Sequence, residues 1–291
     1  MRIVRLPLIV CAVTLFFTFT VSASGQAPNG NSRFAKIDDA RIHYVNYGKG
    51  DEALVLIHGW TQSADAWRDN IADLSKRNRV IVLELPGHGQ SDKPQTTYSM
   101  DYFARAVDAV MRDAKVKRAV LVGHSMGTPV ARQFYRKYPE KTLGIVIVDG
   151  SLRPFGDKAM IDQMMGGFRG PQYRDAVNQM MGFIAGPNLS AEVKQRINSA
   201  SMNTPQHVLV SAFEGMLDNS IWTEDKINVP VLAIMAKTAL LPPNAEESFR
   251  AIAPKLDFQI FDGVGHFLMM EKPKEFDAAV IAWLDKNQLL K

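Results

Sequence analysis

Hydrophobic positions along the chain alternate between short segments typical of strands and longer segments with helical periodicity. Six segments are predicted as strands, mostly as continuous apolar runs of the kind found in buried parallel sheets: 53–57, 79–84, 119–122, 143–148, 229–235 and 257–261. Helical spacing predicts helices over 64–76, 99–114, 128–138, 245–252 and 274–285. Before them, 33–37 and 41–47 alternate apolar and polar residues, which predicts a hairpin at one sheet edge. Together these predict an α/β fold with a mostly parallel, eight-stranded sheet and helices on both faces.

The strand signal is missing over 153–226, between the sixth and seventh predicted strands. We expect this stretch to form a helical cap over the carboxyl edge of the sheet, where α/β folds bind ligands. Seven of the 14 methionines lie in it, together with Phe155, Phe168, Phe183 and Phe213. These side chains suit either the roof of an apolar pocket or simple packing of the cap on the core. Because the stretch has no obvious charged cluster, a strongly charged substrate group is not expected.

The stretch 118–133 carries the strongest chemical signal in the chain. An apolar run ends at Gly123-His124-Ser125-Met126-Gly127, and a helical segment follows. A G-x-S-x-G sequence between a strand and a helix predicts a nucleophile elbow with Ser125 at its apex. Side chains at 123 and 127 would collide with neighbouring backbone, which explains the two glycines. The helix N-terminus also favours negative charge beside Ser125.

Composition and length fit one α/β domain with an insertion. The chain has 291 residues, of which 46% are hydrophobic and 22% are charged. We assign 33–152 and 227–291 to the core and 153–226 to the cap. The formal net charge of +4, without a basic stripe, gives no support for a nucleic-acid partner.

Residues 1–23 resemble a secretory signal. Arg2 and Arg5 precede an apolar run, and Val21-Ser22-Ala23 fits the small-x-small pattern for cleavage after Ala23. An uncleaved anchor is the alternative, although the apolar run does not clearly reach a full span. The one cysteine, Cys11, lies in this segment, so the mature chain has no thiol. We expect a periplasmic or secreted protein, with a flexible lead-in at 24–32 and no stable membrane insertion after cleavage.

Four motifs, in this order and spacing, make the chain from about residue 34 to 288 resemble the capped branch of the α/β-hydrolase family. They are His58-Gly59-Trp60, Leu85-Pro86-Gly87-His88-Gly89-Gln90-Ser91-Asp92, the elbow, and Gly263-Val264-Gly265-His266-Phe267. The resemblance implies a base at His266, which follows the last strand in a Gly-flanked loop. It also implies an oxyanion hole built from the backbone N–H groups of Trp60 and Met126. The other five histidines are expected to do other things: His43 on the surface, His58 in loop packing, His88 in a turn, His124 pointing away from Ser125, and His207 in the cap.

The acid of the catalytic triad is where the sequence departs from the family. The family usually carries Asp in the loop after the seventh strand, but residues 236–243 contain no Asp or Glu, and Ala239 occupies the expected position. Either the triad is broken or the acid has moved. Some relatives place the acid at the end of the sixth strand, where this chain has Asp149. We therefore take Asp149 as the candidate acid.

Three other carboxylates are weaker candidates for that role: Glu246, Glu247 and Asp262. Asp262 is only four residues from His266 and would need an unusual turn.

A serine at the elbow forms an acyl-enzyme, whereas dehalogenases and epoxide hydrolases need a carboxylate there. The His58-Gly59-Trp60 loop also lacks the extra Gly-Pro of proline iminopeptidases. The leading hypothesis is a serine hydrolase that cleaves a carboxylic ester or lactone with an apolar acyl part. It implies a small-molecule substrate and no metal or organic cofactor, and it leaves the oligomeric state open. The alternatives are a carbon–carbon bond hydrolase of diketone-like substrates and a ligand-binding relative that has lost turnover.

Overall fold

The computed structural model describes residues 29–290, except 155 and 187–188. The predicted signal segment and Phe155 lie outside the described residues. Eight strands are present in the described part: β1 (Asn31–Ile37), β2 (Ala40–Tyr47), β3 (Glu52–Ile57), β4 (Val80–Leu83), β5 (Arg118–His124), β6 (Thr142–Val148), β7 (Val231–Ala236) and β8 (Leu256–Phe261). They form one sheet in the order β1-β2-β4-β3-β5-β6-β7-β8. This confirms the predicted α/β architecture.

The sheet is mostly parallel. β2 runs antiparallel to β1 and to β4, and all the other neighbouring strands run parallel. Every residue of β4 and β7 is buried, as expected for strands that are covered on both faces. The carboxyl ends of β3, β5, β6 and β7 therefore lie side by side at one edge, and the loops that leave this edge carry the candidate chemistry.

The helices connect the strands in the alternating pattern that the sequence predicts. They are α1 (Ile71–Leu74), α2 (Met100–Asp113), α3 (Gly127–Lys137), α4 (Lys158–Arg169), α5 (Tyr173–Ile184), α6 (Ala191–Met202), α7 (Gln206–Leu217), α8 (Ala245–Ile252), α9 (Leu268–Glu271) and α10 (Pro273–Lys286). α2 packs on α3, and α1 packs on α10. Right-handed crossovers place these two pairs on opposite faces of the sheet. The Ser99 hydroxyl accepts a hydrogen bond from the Tyr102 N–H at 3.1 Å, so Ser99 is the N-cap of α2.

Four helices, α4 to α7, lie between β6 and β7, and we call residues 153–226 the helical insertion. Its two ends meet at one buried side chain, Arg132 of α3. The Arg132 guanidinium donates to the carbonyl of Leu152 at 2.8 Å, and to the carbonyl of Thr223 and the carboxylate of Asp225. Burial lowers the pKa of Arg132 to about 10, so the guanidinium stays charged at neutral pH. One residue of the core thus fixes the start and the end of the helical insertion.

Two element boundaries differ from the sequence predictions. The segment 64–76 is not one helix, because a 3-10 turn over Ala64–Trp67 is separated from α1. β1 begins at Asn31, inside the segment expected to be a flexible lead-in.

The expectation that His43 is on the surface was wrong. β2 lies between β1 and β4, so His43 is buried, and its Nδ1 donates to Glu84 Oε2 at 2.9 Å.

In the part of the chain that the structure describes, no helix combines the length and the apolarity needed to cross a bilayer.

Candidate active site

Ser125 lies at a sharp turn between β5 and α3 and has a φ of 52°, in the left-handed region that side chains other than glycine rarely adopt. The glycines on either side allow this turn. A Cβ at Gly123 would lie 2.3 Å from the carbonyl oxygen of Gly127, and a Cβ at Gly127 would lie 2.5 Å from the carbonyl oxygen of Ile57. The backbone collisions expected from the sequence are therefore present, and the turn presents Ser125 at the carboxyl edge of the sheet.

His266 and Asp149 are in direct contact. His266 follows β8, and its Nδ1 donates a hydrogen bond to Asp149 Oδ2 at 2.7 Å. The second carboxylate oxygen, Asp149 Oδ1, accepts from the backbone N–H of Ala236 at 2.8 Å, at the end of β7. The carboxylate is thus held between β7 and the imidazole. Both residues line a cavity that Ser125 also lines.

The other carboxylates that the sequence offered as the acid lie elsewhere. Ala239, at the position where the family usually has Asp, is exposed. Glu246 pairs with Arg250, and Asp262 pairs with Lys237. Neither these two acids nor Glu247 line the cavity of Ser125.

The first of the two predicted oxyanion positions, Trp60, belongs to a loop that touches the elbow. A Cβ at Gly59 would lie 2.9 Å from His124 Nδ1 and 3.1 Å from the Cβ of Ser125, so this loop passes close to the elbow. The Trp60 indole N–H donates to the Leu209 carbonyl of α7 at 2.8 Å, which anchors this loop to the helical insertion. Trp60 and Met126, the second predicted position, both line the cavity.

The sequence analysis did not assign His124 a role in the site. Its position next to Ser125 was the one signal that pointed to such a role. Its Nε2 donates to the backbone carbonyl of His266 at 2.8 Å, so it holds the loop of that residue. Burial lowers the pKa of His124 well below its usual range, and the ring is therefore neutral. Burial also lowers the pKa of His58 to about 4 and that of His88 to about 3. These three buried rings are structural and stay uncharged near neutral pH.

The cavity has a volume of about 550 Å³ and a mostly apolar lining. The helical insertion contributes Met180, Met181, Ile184, Phe213 and Met216 to it. The methionine- and phenylalanine-rich pattern therefore serves both of the purposes proposed for it. Some of the side chains line the cavity, while others, such as Met165 and Phe168, are buried in packing. Phe183 belongs to neither group and is 69% exposed.

The family model for the alpha/beta hydrolase fold matches residues 52–273. This chain belongs to the α/β-hydrolase family. A 2-hydroxy-6-oxononadienedioate/2-hydroxy-6-oxononatrienedioate hydrolase from Burkholderia vietnamiensis is 27% identical over 275 residues, covering 84% of this chain and 91% of that protein. The uncharacterized protein Rv2715 from Mycobacterium tuberculosis is 29% identical over 264 residues, covering 81% of this chain and 76% of that protein. An esterase from Exiguobacterium antarcticum has a similar fold, with a TM-score of 0.78 at 18% identity, covering 87% of this chain and 98% of that one.

In this α/β-hydrolase the loop of His266 also packs tightly on the helical insertion. The His266 N–H donates to the Ile184 carbonyl at 3.2 Å. A Cβ at Gly265 would lie only 2.2 Å from the backbone N of Gly186, so the two backbones touch at a pair of glycines. Glu271 Oε1 accepts from the Gly265 N–H at 2.8 Å, and burial raises the pKa of the Glu271 carboxyl. The position of the imidazole therefore depends on the helical insertion as well as on the core.

Within the described residues, no group of three or more His, Cys, Asp or Glu side chains is arranged to hold a metal ion.

Proposed function

We propose that the protein is a serine hydrolase that cleaves a carboxylic ester or lactone with an apolar acyl part, through an acyl-enzyme on Ser125. One observation carries the proposal. Ser125 lines the same cavity as a histidine whose Nδ1 is bonded to a carboxylate at 2.7 Å. A serine hydroxyl is a weak nucleophile until a base takes its proton, and the base needs an acid to fix its tautomer.

In the proposed reaction, Ser125 Oγ attacks the ester carbonyl carbon while His266 Nε2 takes the hydroxyl proton. Asp149 keeps the other ring nitrogen protonated and stabilises the imidazolium that forms. The backbone N–H groups of Trp60 and Met126 hold the oxyanion, a contribution worth about 10²–10³-fold in rate for each donor. The intermediate expels the alcohol, which leaves with the proton from His266. A water that gives its proton to His266 then attacks the acyl carbon and releases the carboxylic acid and Ser125.

The apolar cavity supports an apolar acyl part, because methionine and aromatic side chains adapt to hydrocarbon shapes. A binding protein that has lost turnover was considered because Ala239 replaces the usual acid. The contact between His266 and Asp149 offers an acid from another position, which favours an active enzyme.

Carbon–carbon bond hydrolysis is a second candidate, because the relative from Burkholderia vietnamiensis is named as a hydrolase of 2-hydroxy-6-oxo dioates, and those names contain no ester. The same serine, histidine and carboxylate could serve a diketone-like substrate.

The test is hydrolysis of p-nitrophenyl esters of increasing acyl length by the purified protein. Ser125→Ala should lower kcat by about 10⁴-fold or more. Thr238→Ala is the matched control, because Thr238 also carries a hydroxyl and lines the cavity but has no role in the proposed chemistry. Equal rates for the wild type and Ser125→Ala would refute the proposal. Turnover of a vinylogous diketone, without turnover of any ester, would favour the carbon–carbon hydrolase.

We also propose that the protein is exported, because the N-terminal sequence has the features of a signal segment. Mass spectrometry of the native protein should find a chain that begins at Ser24. Recovery of intact Met1 in the mature protein would contradict cleavage.

A further inference from the structure

The described lining of the cavity that holds Ser125 contains one permanent cation. Among the described lining residues, Arg153 is the only Lys or Arg, and Asp149 is the only Asp or Glu. Asp149 is already bonded to His266. Arg153 is therefore the one charged group of this apolar cavity that could recognise a charged group of a substrate.

Hydrogen bonds hold both the backbone and the side chain of Arg153. Its backbone N–H donates to Ser151 Oγ at 3.0 Å, and the Ser151 hydroxyl donates to the Arg153 carbonyl at 2.8 Å, which fixes a tight turn. Its side-chain Nε donates to Ser248 Oγ of α8 at 2.9 Å. Ser151 and Ser248 also line the cavity. The guanidinium is thus preorganised at a polar end of an otherwise apolar space.

A carboxylate already occupies the outer side of this guanidinium. Nη1 and Nη2 of Arg153 both contact the carboxylate of Glu224, with Nη2 at 3.2 Å from Oε2. The pair is exposed to solvent, since the side chains of Arg153 and Glu224 are 37% and 66% accessible. Exposed ion pairs contribute little free energy, so another carboxylate can replace Glu224 at small cost. The two-pronged geometry also matches a carboxylate better than a single point charge would.

We infer that Arg153 binds a carboxylate at the far end of the acyl chain, so that the preferred substrates are monoesters of apolar dicarboxylic acids. The inference rests on the proposed function and narrows its substrate class. The ester carbonyl lies at Ser125, the hydrocarbon part of the acyl chain fills the apolar cavity, and the terminal carboxylate replaces Glu224 on the guanidinium. Arg153 alone then selects a negatively charged substrate, although the helical insertion has no obvious cluster of charged residues.

The experiment compares two p-nitrophenyl esters of equal chain length, octanoate and the monoester of octanedioate. The measured quantity is the ratio of their kcat/KM values, charged over neutral. Arg153→Gln should lower this ratio about two- to fivefold, the effect expected for an exposed ion pair, because the pair with the substrate carboxylate is lost. Glu224→Gln should raise it, because the competing carboxylate is removed. Added salt should lower the ratio of the wild type toward that of Arg153→Gln.

Arg169→Gln is the matched control. Arg169 forms a similarly exposed ion pair with Glu214 on the helical insertion but does not line the cavity. Arg169→Gln therefore changes the net charge and the packing of the insertion in the same way as Arg153→Gln. Its charged-over-neutral ratio of kcat/KM should nevertheless stay at the wild-type value.

The inference is overturned if Arg153→Gln changes both esters equally, since Arg153 would then only fasten the helical insertion to the core. It is also overturned if Arg169→Gln lowers the ratio as much as Arg153→Gln does. If no ester is hydrolysed in a Ser125-dependent way, the proposed function fails instead. Calorimetric titration of the Ser125→Ala protein with octanedioic acid monoamide and with octanamide then tests Arg153 by itself. Tighter binding of the acid, lost in the Arg153→Gln double variant, supports the carboxylate site, and equal binding of both probes refutes it.

Discussion

Asp149→Asn tests whether the carboxylate at the end of β6 orients the candidate base. The substitution keeps the size of the side chain and removes its charge. Because one oxygen of Asp149 accepts from the Ala236 N–H at 2.8 Å, the asparagine will keep its Oδ1 there and present its NH₂ group to His266. The imidazole must then accept at Nδ1 and carry its proton on Nε2. In that tautomer it cannot take the proton of Ser125.

The expected magnitude follows from this wrong tautomer. In serine hydrolases with this arrangement, the equivalent change lowers kcat by about 10⁴-fold, which corresponds to about 5 kcal/mol of activation free energy. The Asp149 side chain is only 16% exposed, so water can replace the lost acceptor only poorly. KM should change by less than about threefold, because the carboxylate orients the base and does not bind substrate.

The assay is the steady-state hydrolysis of one p-nitrophenyl ester, with thermal unfolding measured alongside. Asp262→Asn is the matched control, because Asp262 is also close to His266 in sequence but forms an exposed pair with Lys237. Its kcat should stay within about twofold of the wild type. Retention of more than about a tenth of the wild-type kcat by Asp149→Asn would refute the assignment, as would an equal loss in Asp262→Asn.

Two further substitutions test the packing around the site and in the core. Gly265→Ala should lower kcat by about 10²-fold, because its Cβ would lie 2.2 Å from the backbone N of Gly186 and must displace the candidate base. Gly182→Ala is the control, because a Cβ there meets nothing within 4 Å. Equal kcat values for the two variants would contradict this reasoning. Asp277 has its pKa raised to about 7 by burial, so the folded state holds a proton that the unfolded state has lost, and stability should decrease as the pH rises from about 4 to about 7. Asp277→Asn should therefore raise the thermal midpoint more at about pH 8 than at about pH 5. The control is Asp285→Asn at an exposed position, which should not show this difference between the two pH values. An equal gain from Asp277→Asn at both pH values would contradict the titration.

The hydrophobic pattern predicted the sheet well because its central strands are buried on both faces. Such strands appear as apolar runs whatever lies around them, so β3 and β4 were located to within a residue at each end. The elbow was equally clear, since its glycines are required by contacts between nearby backbone segments.

Contacts between residues distant in sequence could not be predicted in the same way. The burial of His43 depends on β4 lying beside β2, which the alternation within β2 does not reveal. Likewise, the bond between the His124 ring and the carbonyl of His266 joins residues 142 positions apart. The candidate site residues could be proposed from local motifs, whereas the contacts that hold them are set by the topology of the sheet.

The side chain of Arg132 joins the two ends of the helical insertion to the core. Leu152 directly precedes the insertion and Thr223 lies near its end, and a single guanidinium contacts the backbone carbonyls of both residues. The two ends of the insertion therefore meet the core at one junction, while the loops of Trp60 and His266 contact its interior at Leu209 and Ile184. A chimera that exchanges this segment with that of a relative should therefore keep Arg132 and its acceptors, and also the contacts to the loops of Trp60 and His266, if it is to alter the cavity wall alone. New substrate preferences can thus arise in this chain by replacing one contiguous piece.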